Sequence, residues 1–282
     1  MTSIAQLVEV HRLAVAGREA GIASAVGDLV GRVWLTRSRF ADVIRLAEQT
    51  LTLGDDAGAY YDLGRAKRII GSPTEALAAY DRALSLYRAA DDRGNEAATL
   101  TSMGLAYDVL GHRQKALDHY GQALPIQREV GDRAGEAVTL NNIGSVQNKL
   151  GDQQKALDYF HQALPIRREV GDRAGEAATL NNIGLAYDNL GDLEAALDHY
   201  GQALPIVQEV GDRAGEAITR YNIAMLYHQR GELDRAVAEL EQVVALDREV
   251  GLPDLLADTT ILERVRREQA AMSERVRDER GS

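Results

Sequence analysis

Three asparagines at equivalent positions of an internal repeat have the side chains best suited to recognising a ligand: Asn142, Asn182 and Asn222. An amide side chain offers a hydrogen-bond donor and an acceptor together, so it can pair with the main chain of an extended peptide whatever the sequence of that peptide. The equivalent positions earlier in the chain hold Asp62 and Ser102, so the series is incomplete. Alternatively, each asparagine bonds a neighbouring helix and serves only the fold. We favour peptide binding.

The histidines do not indicate a metal site or an active site. His119 and His199 occupy equivalent positions two repeats apart, which is too far for them to share a metal ion in an array of repeated units. His228 is expected to face the same way as Asp188, which leaves a pH-sensitive pair as an alternative. The sequence has no phosphate loop, no dinucleotide-binding loop and no serine-hydrolase or zinc-protease motif. We therefore expect no catalytic residue, no metal ion, no cofactor and no enzymatic activity.

The asparagines belong to a long internal repeat. Residues 131–170 recur almost whole at 171–210, with 26 of 40 positions identical. A further copy lies at 91–130, and a degenerate copy begins at residue 211. A fixed period of this length is typical of repeat architectures.

Each repeat unit is predicted to form two helices. Apolar and small residues recur at three- and four-residue spacing in 132–150, which predicts a first helix, helix A. Gly151 ends it, and Asp152 can cap a second helix, helix B, which Gly171 ends. An interior glycine costs a helix roughly 1 kcal/mol relative to alanine, so glycines in register indicate close approach of neighbouring helices. These glycines are Gly64, Gly104, Gly144 and Gly184 on helix A, and they face alanine-rich B helices.

A glycine and a tyrosine on helix A, a turn glycine, and an alanine, an aromatic residue and an alanine on helix B together resemble the tetratricopeptide repeat. The helix A tyrosines are Tyr107, Tyr187 and Tyr227. The resemblance covers roughly residues 24–250, and the unit with TLNNIG is similar to those of kinesin light chains, Pins-type adaptors and actinobacterial signalling proteins. It implies an all-α fold, a right-handed α-α superhelix (a TPR solenoid) of about six helix pairs with terminal capping helices. It also implies a concave groove that binds peptides or partner proteins.

The predicted organisation is one array, because a solenoid grows by adding repeats. Residues 1–23 are expected to form an N-terminal capping helix or the second helix of a truncated repeat, and residues 251–282 a C-terminal capping helix with a charged tail. The repeats between them are 24–56, 57–96, 97–136, 137–176, 177–216 and 217–250. We expect a monomer or a weak homo-oligomer, the latter through a heptad-like track on the last helix at Leu255, Leu262, Val265, Met272 and Val276.

The second half of helix A differs most between the two best copies. Five of their 14 differences are consecutive, 145–149 against 185–189. Such variation favours a binding surface modestly, since drift on a solvated face would give the same pattern. The groove residues that the resemblance implies are Tyr61, Arg65, Arg68, Thr101, Leu105, Asp108, Asn141, Asn142, Ser145, Asn148, Asn181, Asn182, Leu185, Asp188, Tyr221, Asn222, Met225 and His228.

The groove residues predict a polarity. Arg65 and Arg68 make the early end basic, whereas Ile218, Tyr221 and Met225 make the late end apolar. Charge pairing sets the register of a bound segment, and buried aromatic residues supply binding energy. The expected ligand therefore has an acidic part toward the arginines and an apolar anchor near the tyrosine.

Composition limits the class of partner and the compartment. The net charge of −11 argues against nucleic acid or an anionic membrane as a main partner. The sequence has no cysteine, which fits a reducing compartment. The N-terminal segment carries Glu9, His11 and Arg12 inside its apolar pattern, so we expect no signal peptide and a cytoplasmic location.

The sequence thus predicts a non-enzymatic scaffold for protein-protein interaction, which binds a peptide or partner segment in its groove. One alternative is a ligand-sensing, regulatory repeat module of a larger bacterial signalling protein. Another is a consensus-like engineered array without a natural ligand, because the near-identity of adjacent repeats fits a design as well as a recent duplication.

Overall fold

The computed structural model describes residues 3–251 and 253–281, with side chains given up to residue 274. These residues form fourteen helices and no strand, so the predicted all-α class of about six helix pairs with a further helix at each end is confirmed. The helices are α1 (Ile4–Ala16), α2 (Ala20–Thr36), α3 (Phe40–Leu51), α4 (Ala57–Ile69), α5 (Pro73–Ala89), α6 (Arg93–Val109), α7 (Arg113–Val130), α8 (Arg133–Lys149), α9 (Gln153–Glu169), α10 (Arg173–Leu190), α11 (Leu193–Glu209), α12 (Arg213–Gln229), α13 (Leu233–Val250) and α14 (Leu255–Gly281).

The even-numbered helices from α2 to α12 are A helices, and the odd-numbered helices from α3 to α13 are B helices. Their ends follow the predicted signals. The turn glycines Gly151 and Gly171 have φ of 86° and 71°, values that favour glycine. The Asp152 side chain accepts a hydrogen bond from the backbone N–H of Lys155, and so caps α9. The prediction of the helix pair is confirmed in this repeat.

Within each repeat, the helix A glycine lies against an aromatic ring of helix B. A Cβ atom placed on Gly184 of α10 would lie 2.7 Å from Cε1 of Tyr200 on α11. Gly64 and Gly144 meet Tyr80 and Phe160 in the same way, and all these rings are fully buried. The predicted close approach of the helices is confirmed, and its cause is an aromatic ring that occupies the space of a missing side chain.

A buried glutamate links each of three B helices to the next A helix. Glu136 of α8 accepts hydrogen bonds from Arg128 Nε of α7 at 2.7 Å and from Arg133 of its own helix. Burial alone would raise the pKa of Glu136, but the hydrogen bonds from Arg128 and Arg133 outweigh burial and lower it. Glu96 and Glu176 are paired in the same way with two arginines each. This column of ion pairs was not among the features predicted from the sequence.

The chain forms two compact units, Met1–Asn142 and Ile143–Ser282. In the first unit, α1 packs on the first repeat, and its buried His11 has Nε2 2.8 Å from Thr50 Oγ1 of α3. Helix α2 begins at Ala20, four residues before the predicted start of the first repeat at residue 24. The difference arises because Gly21 and Ser24 lack the apolar character by which periodicity marks a helix start.

In the second unit, α14 packs against the last helix pair. Leu262 and Val265 are buried in one cluster with Ala224 of α12 and Leu240 of α13. Met272, further along the predicted heptad track, is exposed, and the side chain of Val276 lies outside the described residues. The first part of α14 is therefore used to cover the last repeat.

Candidate ligand-binding face of the A helices

The predicted groove residues of α4, α6, α8, α10 and α12, from Tyr61 to His228, are called here the A-helix face. In the second unit, some of these side chains join consecutive A helices. Asn181 Nδ2 of α10 donates to Thr219 Oγ1 of α12 at 2.9 Å, and Asn189 Nδ2 donates to Asn148 Oδ1 at 3.1 Å. Two predicted groove residues, Asn148 and Asn181, therefore form hydrogen bonds to a neighbouring A helix.

The first unit uses its A-helix face in the same way. Thr101 is buried, and its hydroxyl lies 3.0 Å from Thr139 Oγ1 and 3.2 Å from Gln127 Nε2. The Tyr61 hydroxyl lies 3.3 Å from Ser102 Oγ. These contacts make Thr101 and Tyr61 partners of neighbouring helices, as in the scaffold alternative.

Asn142, Asn182 and Asn222 differ in whether their side chains have partners within the protein. All three asparagines are half-buried. The side chain of Asn222 forms no hydrogen bond with the described residues, and the side chain of Asn142 has its Nδ2 buried without an acceptor. Asn182 has a contact within the protein. Asn222 thus keeps the capacity to pair with a ligand.

Several of the remaining candidate residues are open to solvent to different degrees. Leu185 of α10 is exposed, and Leu105 and Ser145 are half-buried. Asn141 and Asp108 are half-buried and have contacts within the protein.

The alternative of a pH-sensitive pair of His228 and Asp188 is not what the structure has. His228 Nε2 lies 2.6 Å from Glu268 Oε2 of α14, while Gln229 Nε2 approaches Asp188 Oδ1 at 3.4 Å. The sequence did not show that α14 lies beside α12 and offers a carboxylate to His228.

At the late end, the A-helix face opens into a cavity of about 320 Å³ formed by α12, α13 and α14. Its apolar wall includes Tyr221 and Ile218, and Ile218 is 60% exposed. Met225 is half-buried and packs on the cluster of Leu240 instead of lining the cavity. Tyr221 packs on the same cluster and also lines the cavity, so the apolar anchor site stays a prediction for Tyr221.

Three aspartates line the same cavity. Asp247 is 1% exposed, and its Oδ2 has no hydrogen-bond partner among the described residues. Burial, followed by the neighbouring Asp247 carboxyl, raises the pKa of Asp258 to about 6, and burial also raises the pKa of Asp247. The negative charge of Asp254 raises the pKa of both Asp247 and Asp258 further. The sequence analysis missed these residues, although aspartates at otherwise apolar positions of α13 and α14 were a signal.

At the early end, a cavity of about 220 Å³ has mixed charge. Its lining includes Arg32, Arg65, Asp28 and Asp62. Arg65 lies over the ring of Tyr61, 5.7 Å from its centroid. Arg65 and Arg68 alone led to the prediction of a basic end. The structure adds two carboxylates, Asp28 of α2 and Asp62 of α4, beside Arg65.

Arg68, the other arginine of the early end, is engaged within the protein. Arg68 has its Nε buried without an acceptor among the described residues, and its charge acts on the hydroxyls of Tyr80 and Tyr120. Binding of an acidic ligand at this end therefore stays a prediction, because the cavity holds carboxylates as well as arginines.

Asp62 gives the early end a measurable pH dependence. Burial raises its pKa from 3.8 to about 7, Asp28 and Asp56 add to the increase, and Arg65 and Arg32 oppose it. Its contribution to stability is therefore full below pH 4 and is lost as the pH rises through 7. Since one pKa unit corresponds to about 1.4 kcal/mol, we expect Asp62→Asn to gain about 3 kcal/mol in unfolding free energy over the native chain between pH 5 and pH 8.

Urea denaturation at both pH values measures this difference. The control is Asp81→Asn on α5, where the aspartate is exposed and the change with pH should match the native chain. An Asp62→Asn variant that follows the native pH profile would show that the buried carboxyl is ionised throughout.

Metal binding and membrane insertion have no support in the part of the chain that the structure describes. Its residues contain no group of three or more histidine, aspartate or glutamate side chains placed to hold a metal ion. None of the helices among them combines the length and apolar character needed to cross a membrane. His119 and His199 stack on Tyr107 and Tyr187, with ring centroids 5.1 and 5.3 Å apart.

The sequence profile described as tetratricopeptide repeat matches the chain at residues 55–129, 113–169, 135–209 and 175–249. These overlapping matches together span most of the array. No curated protein matches the chain at a significant level.

Solved structures share the fold at low sequence identity. A chain of the APC/C hetero-tetramer Cut9–Hcn1 matches at 20% identity and a TM-score of 0.72, over 94% of this chain and 46% of that one. BtubC (BKLC) from P. vanneervenii matches at 20% identity and 0.61, over 89% and 94%. A Rap protein complexed with competence and sporulation factor matches at 16% and 0.64, over 89% and 76%. This chain thus spans about half the length of the Cut9–Hcn1 chain that it matches.

Proposed function

Because the chain belongs to the tetratricopeptide repeat family of protein-interaction scaffolds, we propose that the A-helix face of its second unit binds an extended segment of a partner protein. The fold generally serves as a non-enzymatic interaction module. The observation that carries the proposal is the unused amide of Asn222 beside the exposed Ile218 and the half-buried Tyr221. An amide without an internal partner and an adjacent apolar wall are what an extended peptide requires.

The spacing of the A helices suits an extended chain. Packed helices lie roughly 8–10 Å apart, and an extended strand advances about 3.3 Å per residue. Free amides at equivalent positions of successive A helices would therefore meet the peptide about every third residue. Such contacts fix the main chain and leave selectivity to the side chains between them.

The neighbours of the same fold support an interaction role. One of them, the Rap protein, was solved with competence and sporulation factor bound, and another belongs to the hetero-tetramer of Cut9 and Hcn1. At 16% and 20% identity these structures carry the fold alone, so the binding mode of this chain is argued from Asn222, Ile218 and Tyr221.

Selection from a random-peptide display library tests the proposal. We expect selected peptides to bind the native chain and to lose affinity by about tenfold, or about 1.4 kcal/mol, in Asn182→Ala/Asn222→Ala, measured by fluorescence anisotropy. The matched control is Gln162→Ala/Gln202→Ala, which removes two exposed amides from B helices. Circular dichroism checks that both variants are folded. Peptides that bind the asparagine variant as tightly as the native chain, or a selection that yields no peptide, would contradict the proposal.

A further inference from the structure

The late-end cavity is acidic as well as apolar. Asp247, Asp254 and Asp258 line it, and the residues described around it include no arginine, lysine or histidine. Buried carboxylates are normally paired with a cation or with hydrogen-bond donors, because an unpaired buried charge is costly. Here Asp247 and Asp258 share a hydrogen bond, Asp254 is exposed, and no cationic side chain lines the cavity beside them.

One of the three carboxyls has an oxygen without a partner. Asp247 is almost completely buried, with only 1% of the residue exposed, and its Oδ2 accepts no hydrogen bond from the described residues. A buried acceptor that is left unpaired costs about 1–3 kcal/mol. Since Asp247 lines the cavity, a donor that enters the cavity approaches this carboxyl group.

The walls indicate what carries that donor. Ile218 and Tyr221 on α12 and Ile261 on α14 give the cavity an apolar surface next to the carboxyls. A lysine side chain has a compact ammonium group with three donors on a flexible aliphatic stem. Its stem would cover the apolar wall, and its ammonium group would face the aspartates.

We propose that the late-end cavity binds a lysine side chain of the partner segment, with its ammonium group on Asp247, Asp254 and Asp258 and its stem against Ile218 and Tyr221. This inference rests on the proposed function, because the lysine belongs to the segment that lies on the A-helix face. It replaces the purely apolar anchor that the sequence predicted near Tyr221. Charge complementarity at this cavity would set the register of the segment.

Three capped peptides test the charge and the stem separately: acetyl-Ala-Lys-Ala-amide, and the same peptide with norleucine or with glutamate in place of lysine. Each is titrated into the full chain, and amide chemical shifts of α12, α13 and α14 are followed by NMR. We expect saturable shifts near the cavity with the lysine peptide, binding about tenfold weaker with norleucine, and no binding with glutamate.

Variants of the cavity assign the binding to its carboxyls. Asp247→Asn/Asp258→Asn keeps the shape of both side chains and is expected to remove the preference for lysine over norleucine. Asp254→Asn, outside the buried pair, should weaken lysine binding even if the double variant is unstable. Asp158→Asn/Asp198→Asn on exposed B-helix positions is the control and should bind as the native chain does.

The contrary outcomes are distinct. Equal binding of norleucine would make the cavity an apolar anchor site, tighter binding of glutamate would make it an acid site, and no saturable shift with lysine would remove the site. Each of these overturns the inference. The proposed function fails separately, when Asn182→Ala/Asn222→Ala leaves the affinity for selected peptides unchanged.

Discussion

Gly184→Ala is expected to lower the free energy of unfolding by about 3 kcal/mol, because a core that is already filled cannot accept another methyl group. The new Cβ would lie 2.7 Å from Cε1 of Tyr200, and the Tyr200 ring is 0% exposed. The ring is rigid and enclosed, so α10 and α11 would have to separate. The matched control is Gly201→Ala on α11, where a Cβ meets nothing within 4 Å. That change is expected to raise stability by about 0.5–1 kcal/mol, since glycine is unfavourable inside a helix.

The last repeat indicates a second substitution that should restore the stability lost in Gly184→Ala. Ala224 stands at the glycine position of α12, and Leu240 stands at the aromatic position of α13 in the same buried cluster. Tyr200→Leu should therefore recover stability in the presence of Gly184→Ala. Urea denaturation, with amide exchange of α10 and α11 as a local readout, measures all four proteins. A Gly184→Ala chain as stable as the native chain would refute the packing account.

The second large effect is expected at the column of buried glutamates. Glu136→Lys places an ammonium group between Arg128 and Arg133, both of which now donate to the Glu136 carboxylate. Breaking a buried ion pair typically costs about 3–5 kcal/mol, and we expect about 3 kcal/mol here because both arginines are partly exposed. The loss should be local to the contact of α7 with α8, as measured by amide exchange.

A charge reversal at an exposed site separates this effect from net charge. Glu48→Lys on α3 makes the same change of charge at an exposed residue, and should alter stability by no more than about 0.5 kcal/mol. Equal losses in the two variants would show that the glutamate column contributes nothing specific.

The fold was predictable because its signals are local and repeated. The glycine at position 184, the turn glycine at 191 and the alanine at 203 recur at the same place in successive repeats, and each answers to a packing or backbone requirement of one helix pair. The glutamate column was equally periodic in Glu96, Glu136 and Glu176 with arginines at fixed spacing, so sequence alone could have identified it.

The candidate site was less predictable because it depends on which helices meet. Asn181 and Asn222 are the same residue type on A helices, yet the Asn181 side chain bonds Thr219 whereas the Asn222 side chain bonds none of the described residues. Asp247 and Asp258 come together only because α14 folds back on α13, at the end of the array where the repeat no longer applies. No period of the sequence encodes that contact.

The most direct test of the central claim is site-specific photo-crosslinking of a selected peptide. A photoreactive benzoylphenylalanine is placed either at Leu185, which is exposed on the A-helix face, or at Gln202, which is exposed on helix α11. Binding on the A-helix face predicts a crosslink from position 185 and none from position 202. A crosslink from position 202 without one from position 185 would contradict it.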